Sequence, residues 1–185
     1  TTRSVDPKVT DAADILYDIG GTYTPKKLRF DHHQTEGAGK YENGIKYSSF
    51  GLIWKHFGLS LCALQTSAET GVMPSKKVVE KQSEILKKKV VMYIDAMDNG
   101  QMAYEAKFEN TDVFTVDAFF AMSKIRTSSD EISLVQLNKN FTKQFFLMVK
   151  MFGQMLPLLL SYARTKEIDE AAAIKAYNRA KDKRI

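Results

Sequence analysis

At 185 residues, 44% of them hydrophobic and 26% charged, the chain has the balance of a globular domain able to bury a core of ordinary size. Its longest apolar run, Met155 to Leu160, falls far short of the roughly 20 residues of a membrane helix, so no membrane partner is expected, and a single cysteine excludes an internal disulfide. A net charge of +5 draws the chain toward anions such as nucleic acid, nucleotides or polyphosphate.

The pattern changes near residue 75, with short apolar runs and Gly/Pro punctuation before it and helical periodicity after it. Residues 12–19 (AADILYDI) form a nearly continuous apolar run ending in Gly20-Gly21, which predicts a strand buried on both faces, as in a parallel sheet. Tyr23 to Pro25 reads as a turn. Residues 27–30 read as a short strand running into Asp31-His32-His33. Gly37, Gly39 and Gly44 mark residues 34–47 as a mobile loop.

Ser48 or Ser49 caps a helix over residues 50–57, with Gly58 as its stop and loop around 66–74. Cys62, among Leu59, Leu61, Ala63 and Leu64, reads as a buried structural thiol. Residues 76–97 form the clearest helix: Val78, Val79, Ile85, Leu86, Val90, Tyr93, Ile94 and Met97 keep three- and four-residue spacings until Asn99-Gly100 ends it. Further helices are predicted over 114–125, over 130–163 with a break at Gly153 or Pro157, and over 168–181.

Several polar residues sit where chemistry is done. Asp18 closes an apolar strand, the end at which ligands gather in open α/β sheets; a carboxylate capping the Gly20-Gly21 turn explains it equally well. Asp31-His32-His33 combines imidazole with carboxylate, donors that suit manganese or zinc, and a neighbouring carboxylate can fix a histidine tautomer. Asp95 and Asp98, three residues apart, share one helix face in a last turn where the macrodipole disfavours negative charge unless a cation compensates. Ser48-Ser49 at a helix start offers free amides as a phosphate seat, although a plain helix cap accounts for it as well. Among the basic residues nearby, Arg29 and Lys46 are candidates to steer a polyanion. His56 is expected to be structural, and the aromatic and Met-rich stretch from Phe141 to Met155 to be core or a partner surface.

In order and spacing, Arg3 with Asp6-Pro7, Asp18-Ile19-Gly20-Gly21, Asp31-His32-His33-Gln34, Ser48-Ser49-Phe50-Gly51-Leu52-Ile53 and Asp95-Ala96-Met97-Asp98-Asn99-Gly100 resemble a known family. The triplet resembles the signature of the DHH phosphoesterase superfamily. The full set resembles its melanocyte-proliferating-gene family, also called metal-dependent protein hydrolases. The resemblance runs from Arg3 to Gly100 and thins to a compatible helical pattern beyond.

It implies an α/β, DHH-type parallel-sheet domain with a following helical layer: residues 1–74 as the strand-rich part bearing the metal site, 75–185 as the helical part. It further implies a two-manganese site (magnesium as a substitute) and hydrolysis of phosphodiester bonds as a 3′-to-5′ RNA exonuclease of nucleus and mitochondrion, with the cytoplasm not excluded. By position, Asp18 would bridge the metals, His32 would bind one, His33 would face the phosphate, and Asp31 would support the pair. Asp98 or Asp95 would supply the last carboxylate. The family's opening His- and Asp-bearing motif has no counterpart before Asp18, so the chain is expected to be a fragment, nearly inactive alone. The rivals are a DHH phosphatase acting on pyrophosphate, polyphosphate or cyclic dinucleotides, and a non-catalytic RNA-binding module. Homo-oligomerisation stays open.

Overall fold

The computed structural model describes residues 4–101 and 134–179, together with 115 and 118. The helix expected over 114–125 therefore falls almost wholly outside the described residues. What is described is mixed α/β, mostly helical, with one small three-stranded sheet. After the short helix α1 (Pro7–Asp11), the strands are β1 (Leu16–Tyr17), β2 (Tyr23–Thr24) and β3 (Arg29–Phe30), in the order β1-β3-β2.

The sheet departs from the expected buried parallel one in two respects. β1 pairs parallel to β3, but β2 pairs antiparallel to it, occupying the stretch read as a turn. β1 is also an edge strand, and its Tyr17 and the preceding Ile15 remain exposed, so the apolar run is not sandwiched between layers. Phe30 at the centre is fully buried, its ring 6.3 Å from Tyr23, 5.4 Å from His56 and 5.9 Å from Phe57. That cluster fastens the sheet to the next helix and gives His56 its structural place.

The parallel pairing has a functional result. Leu16 lies opposite Arg29 and Tyr17 opposite Phe30, so both strands end at the same level. Asp18 and the Asp31-His32-His33 triplet consequently emerge side by side, locked by Asp18 N–H donating to the Phe30 carbonyl at 3.1 Å and Asp31 N–H to the Thr22 carbonyl at 3.0 Å.

Helix α2 runs from Ser49 to Thr70, far past the expected stop at Gly58. Gly58 lies inside it because a Cβ there would come within 2.8 Å of the Trp54 indole, so the glycine makes room for a buried tryptophan one turn earlier. The helix ends at Gly71, whose φ of 72° is the left-handed cap that L-residues resist.

Helix α3 (Lys76–Leu86) leads through a π-turn, Lys87–Val91, into α4 (Met92–Asp98). Helix α5 spans Leu134–Arg179 without the break expected at Gly153 or Pro157 and includes the described part of the helix expected at 168–181.

The core is the seam between these helices: Trp54 and Cys62 of α2, Val79 and Leu86 of α3, Val91, and Leu160 and Ala163 of α5. Cys62 is 1% exposed and its thiol is pushed up to about 11 by burial, as suits a structural cysteine. Elsewhere α5 leaves Phe146, Leu147, Leu158 and Ile174 exposed. By length and composition alone α5 suffices to cross a membrane, which a count of consecutive apolar residues misses.

Candidate metal centre

Four of the expected residues converge at the strand ends. His32 forms the floor, its side chain only 8% exposed, while Asp18, His33 and Asp98 form a rim at 58%, 59% and 47%. His32 Nδ1 lies 3.6 Å from Asp18 Oδ1, and its Nε2 lies 3.2 Å from Asp98 Oδ2. Ligand atoms of Asp18, His32 and His33 all fall within 4.8 Å of one another.

Backbone geometry aims Asp18 at this point. Its φ of 64° is in the left-handed region, a conformation Asp tolerates better than most residues but still at some cost. The Asp98 carboxyl is held above its ordinary range by partial burial first, with the neighbouring Asp18 carboxylate adding to the rise against the opposing pull of His32 and His33. Two carboxylates crowding a buried imidazole form a donor set that a divalent cation of the manganese or zinc type would satisfy.

Asp31 lies beneath the rim, 2% exposed. Its Oδ1 accepts from the His33 backbone N–H at 3.0 Å and faces the His33 ring Nδ1 at 2.6 Å, and its Oδ2 accepts from Gly21 N–H at 2.6 Å. Asp31, not Asp18, therefore receives the amide of the Gly20-Gly21 turn. Burial alone would raise the Asp31 carboxyl, but the His33 and Gly21 amides and the His33 ring hold it below its ordinary range. The bond to Asp31 raises His33 in turn.

Asp31→Asn removes that negative charge, so His33 should titrate lower by NMR; an unchanged His33 midpoint would show the pair to be uncoupled. Linkage fixes the sign for stability. Because the folded carboxyl lies below its unfolded value, Asp31 stabilises the fold above the unfolded range and loses that contribution as pH falls through the folded value. The variant should therefore flatten the acid limb.

Asp95 has a different role from Asp98. It is fully buried and faces the N-terminus of α2, where its Oδ1 accepts from Ser48 Oγ at 2.6 Å and Gly51 N–H at 2.9 Å, and its Oδ2 accepts from Tyr41 Oη at 2.6 Å. With three donors and the positive end of the α2 dipole, this carboxylate is satisfied without a cation. Asp98, one turn on, faces His32 instead. A shared face does not mean a shared partner.

The amides at the start of α2 are likewise occupied. Ser49 N–H donates to His32 Nδ1 at 3.2 Å, Phe50 N–H to Ser48 Oγ at 3.1 Å, Gly51 N–H to Asp95, and Leu52 N–H to the Ser48 carbonyl at 3.0 Å. Ser48 and Ser49 thus tie α2 to Asp95 and His32, which leaves none of these four amides as a phosphate seat.

Arg29 turns to the carbonyls of Asp14 and Lys27. Lys46 is exposed, and its backbone bonds to Asn99 and Gln101 bring it beside the end of α4. Tyr41 and Gly51 are the site-organising residues that pattern reading passes over; an isolated aromatic in a Gly-rich stretch is the available signal. Both also line an open cavity of about 300 Å³, with Tyr47, Trp54, Lys55 and Lys87, that includes none of the four cluster residues.

The family model MYG1_exonuc, described as an uncharacterised protein family (UPF0160), matches residues 1–185. A MYG1 protein of Schizosaccharomyces pombe is 41% identical over 110 residues, covering 56% of this chain and 32% of that protein. MYG1 exonuclease of Bos taurus is 39% identical over 112 residues (56% of this chain, 28% of that protein), and MYG1 exonuclease of Homo sapiens 38% over 107 (53% and 27%). The matched stretch thus spans about a third or less of these relatives' length. No solved structure matches.

Proposed function

Because the chain belongs to the MYG1_exonuc family (UPF0160), we propose that it is part of a manganese-dependent phosphodiester hydrolase of DHH type that digests RNA from the 3′ end. The observation that carries this reading is the convergence of Asp18, His32, His33 and Asp98 at the ends of two parallel strands. The names of the bovine and human relatives support a nuclease, and the net charge of +5 suits a polyanionic substrate.

In this reading Asp18, His32 and Asp98 would hold the divalent cations. Bound divalent ions of this kind supply Lewis acidity and lower the pKa of a water molecule. The remaining work belongs to the chain. Asp31 fixes the His33 ring through Nδ1 and raises its affinity for a proton, so Nε2 is set up to donate to a phosphoryl oxygen rather than to bind metal. Lys46, exposed beside α4, would add positive charge near the approach. Nucleus and mitochondrion are the proposed compartments.

End-labelled RNA with Mn²⁺ tests the proposal, using this chain and any longer product of its gene. Release of mononucleotides from the 3′ end by a longer product, with little or none from this chain alone, is the expected result. Orthophosphate from pyrophosphate, or a linear dinucleotide from a cyclic one, with RNA left intact, would overturn the substrate but keep the site. Salt-sensitive RNA binding without cleavage would replace the enzyme by a binding module.

A further inference from the structure

The open cavity of about 300 Å³ that contains no metal-centre residue lies where α2, α3 and the loop before Ser48 meet. Positions 51, 54, 55 and 59 of α2 and 80, 83 and 84 of α3 line it, the three- and four-residue spacing of one face on each helix. Its volume is at the lower end of small-molecule pockets, which leaves room for one compact ligand. The separation from the metal centre is built into α2. Gly51 lines the cavity, whereas Ser49 meets His32, and two residues of α-helix turn by about 200°.

Four kinds of group line this one space. Tyr47 supplies an aromatic ring braced from behind: it lies 4.2 Å from the ring of Tyr41, which is buried and anchored through its hydroxyl to Asp95. The Lys55 ammonium stands 5.0 Å from the Tyr47 centroid, and among the described residues no carboxylate comes within ion-pair distance of it. On the α3 side, burial would raise the Glu84 carboxyl, but Lys87 and Lys88 hold it below its ordinary range, so it is an ionised acceptor at neutral pH. Trp54 is 8% exposed, and its buried indole N–H has no acceptor among the described residues. A bare phosphate would leave the ring and the carboxylate unused, and a bare cation would be repelled by Lys55 and Lys87. A flat heteroaromatic ring with donors and acceptors on its edge, joined to an anionic group, uses them all.

We infer that this cavity is a nucleotide-binding site separate from the metal centre, with the base over Tyr47 and the phosphate on Lys55. The Lys55 side chain is exposed and free to swing. A base that takes the ammonium's place over the ring leaves that ammonium to a phosphate oxygen. The choice of a nucleotide among flat anionic ligands rests on the phosphodiester-hydrolase reading. A released mononucleotide and a single nucleotide of an RNA strand present the same chemistry to these residues.

The test reads the fluorescence of Trp54, the single tryptophan of the chain and part of the cavity wall, with no metal added. Adenosine 5′-monophosphate should quench it saturably, and ribose 5-phosphate, which lacks the base, should not. Lys55→Ala should weaken the nucleotide about 10- to 100-fold, the effect of losing one hydrogen bond to a charged group. Lys55→Arg should recover most of that loss. Ser83→Leu, which fills the cavity from α3, should abolish quenching with the circular dichroism unchanged. A short oligoribonucleotide that binds more tightly than the mononucleotide, with the same loss in Lys55→Ala, assigns the site to a base of the strand; the reverse order assigns it to the released product. No saturable quenching by either, equal quenching by ribose 5-phosphate, or quenching that survives both Lys55→Ala and Ser83→Leu overturns the site. Turnover is scored separately. Nucleotide binding here with RNA left intact by a longer product would refute the nuclease and keep this site, and cleavage without quenching would do the opposite.

Discussion

Gly51→Ala is expected to destabilise the protein by about 2–4 kcal/mol, although alanine is the better helix former. A Cβ at this position would stand 1.9 Å from Asp95 Oδ2 and 2.6 Å from its Cγ. The carboxylate cannot rotate aside cheaply, because Tyr41, Ser48 and the Gly51 amide hold it and no part of it reaches solvent. Displacing it strands a buried charge, a change that costs roughly 3–5 kcal/mol; moving α2 instead incurs an overpacking cost of about 1–3. The intrinsic gain from glycine to alanine in a helix is about 1 kcal/mol and works the other way. Sterics wins. Urea unfolding should show a lower midpoint with an unchanged m-value. A variant as stable as the wild type would mean that the contact around Asp95 is looser than these distances state.

His32→Ala should abolish metal binding and turnover while leaving the helical core in place. The ring is the buried member of the cluster and lies between two carboxylates, facing Asp18 with one nitrogen and Asp98 with the other. Its removal takes away one of the proposed ligands and the group that draws the Asp98 carboxyl back toward ionisation, so like-charge crowding grows. Affinity for Mn²⁺ should fall by more than the 10- to 100-fold typical of an outer-shell partner. Circular dichroism should show an unchanged helical signal, since the ring lies outside the cluster of Trp54, Cys62, Leu86 and Leu160. A variant that retains turnover would overturn the assignment of this site.

The separation between what the sequence discloses and what it withholds runs along physical lines. Short motifs at element ends are legible because their residue types are costly in those places unless something compensates: Asp18 after an apolar run, Asp31-His32-His33 after a strand, Asp98 at a helix C-terminus. Their meeting point depends on β1 and β3 pairing in parallel over two residues each, a choice that propensity does not encode. Gly58 misleads because a glycine that stops a helix and one that admits a tryptophan one turn away look alike along the chain. Ser48 and Ser49 are recognisable as a helix start, but the identity of the groups meeting those amides is tertiary information. For Asp95 and Asp98 the spacing implies a shared face and cannot divide them between the N-terminus of α2 and the His32 ring.

The same limit applies to the helix that carries them. Even spacing predicts Val90 in the core; Val90 is partly buried against it, but the fully buried residue is Val91, 1% exposed. The buried positions run Val79, Gln82 and Leu86, then skip five places to Val91 before Asp95. That skip is the π-turn at Lys87–Val91. Successive α-helical residues are about 100° apart, and a π-turn absorbs roughly one residue's worth of that rotation. In the language of genes, the turn behaves like a one-codon insertion that leaves the phase of the residues downstream unchanged. Removing one residue from Lys87–Lys89 should let the segment revert to plain α-helix with Asp95 and Asp98 facing as they do now. Removing a second residue as well has no such slack left to draw on and would turn both carboxylates away from their partners. Circular dichroism and Mn²⁺ affinity of the two deletion variants, compared side by side, would reveal how much of this helix is spare and how much is in register with the site.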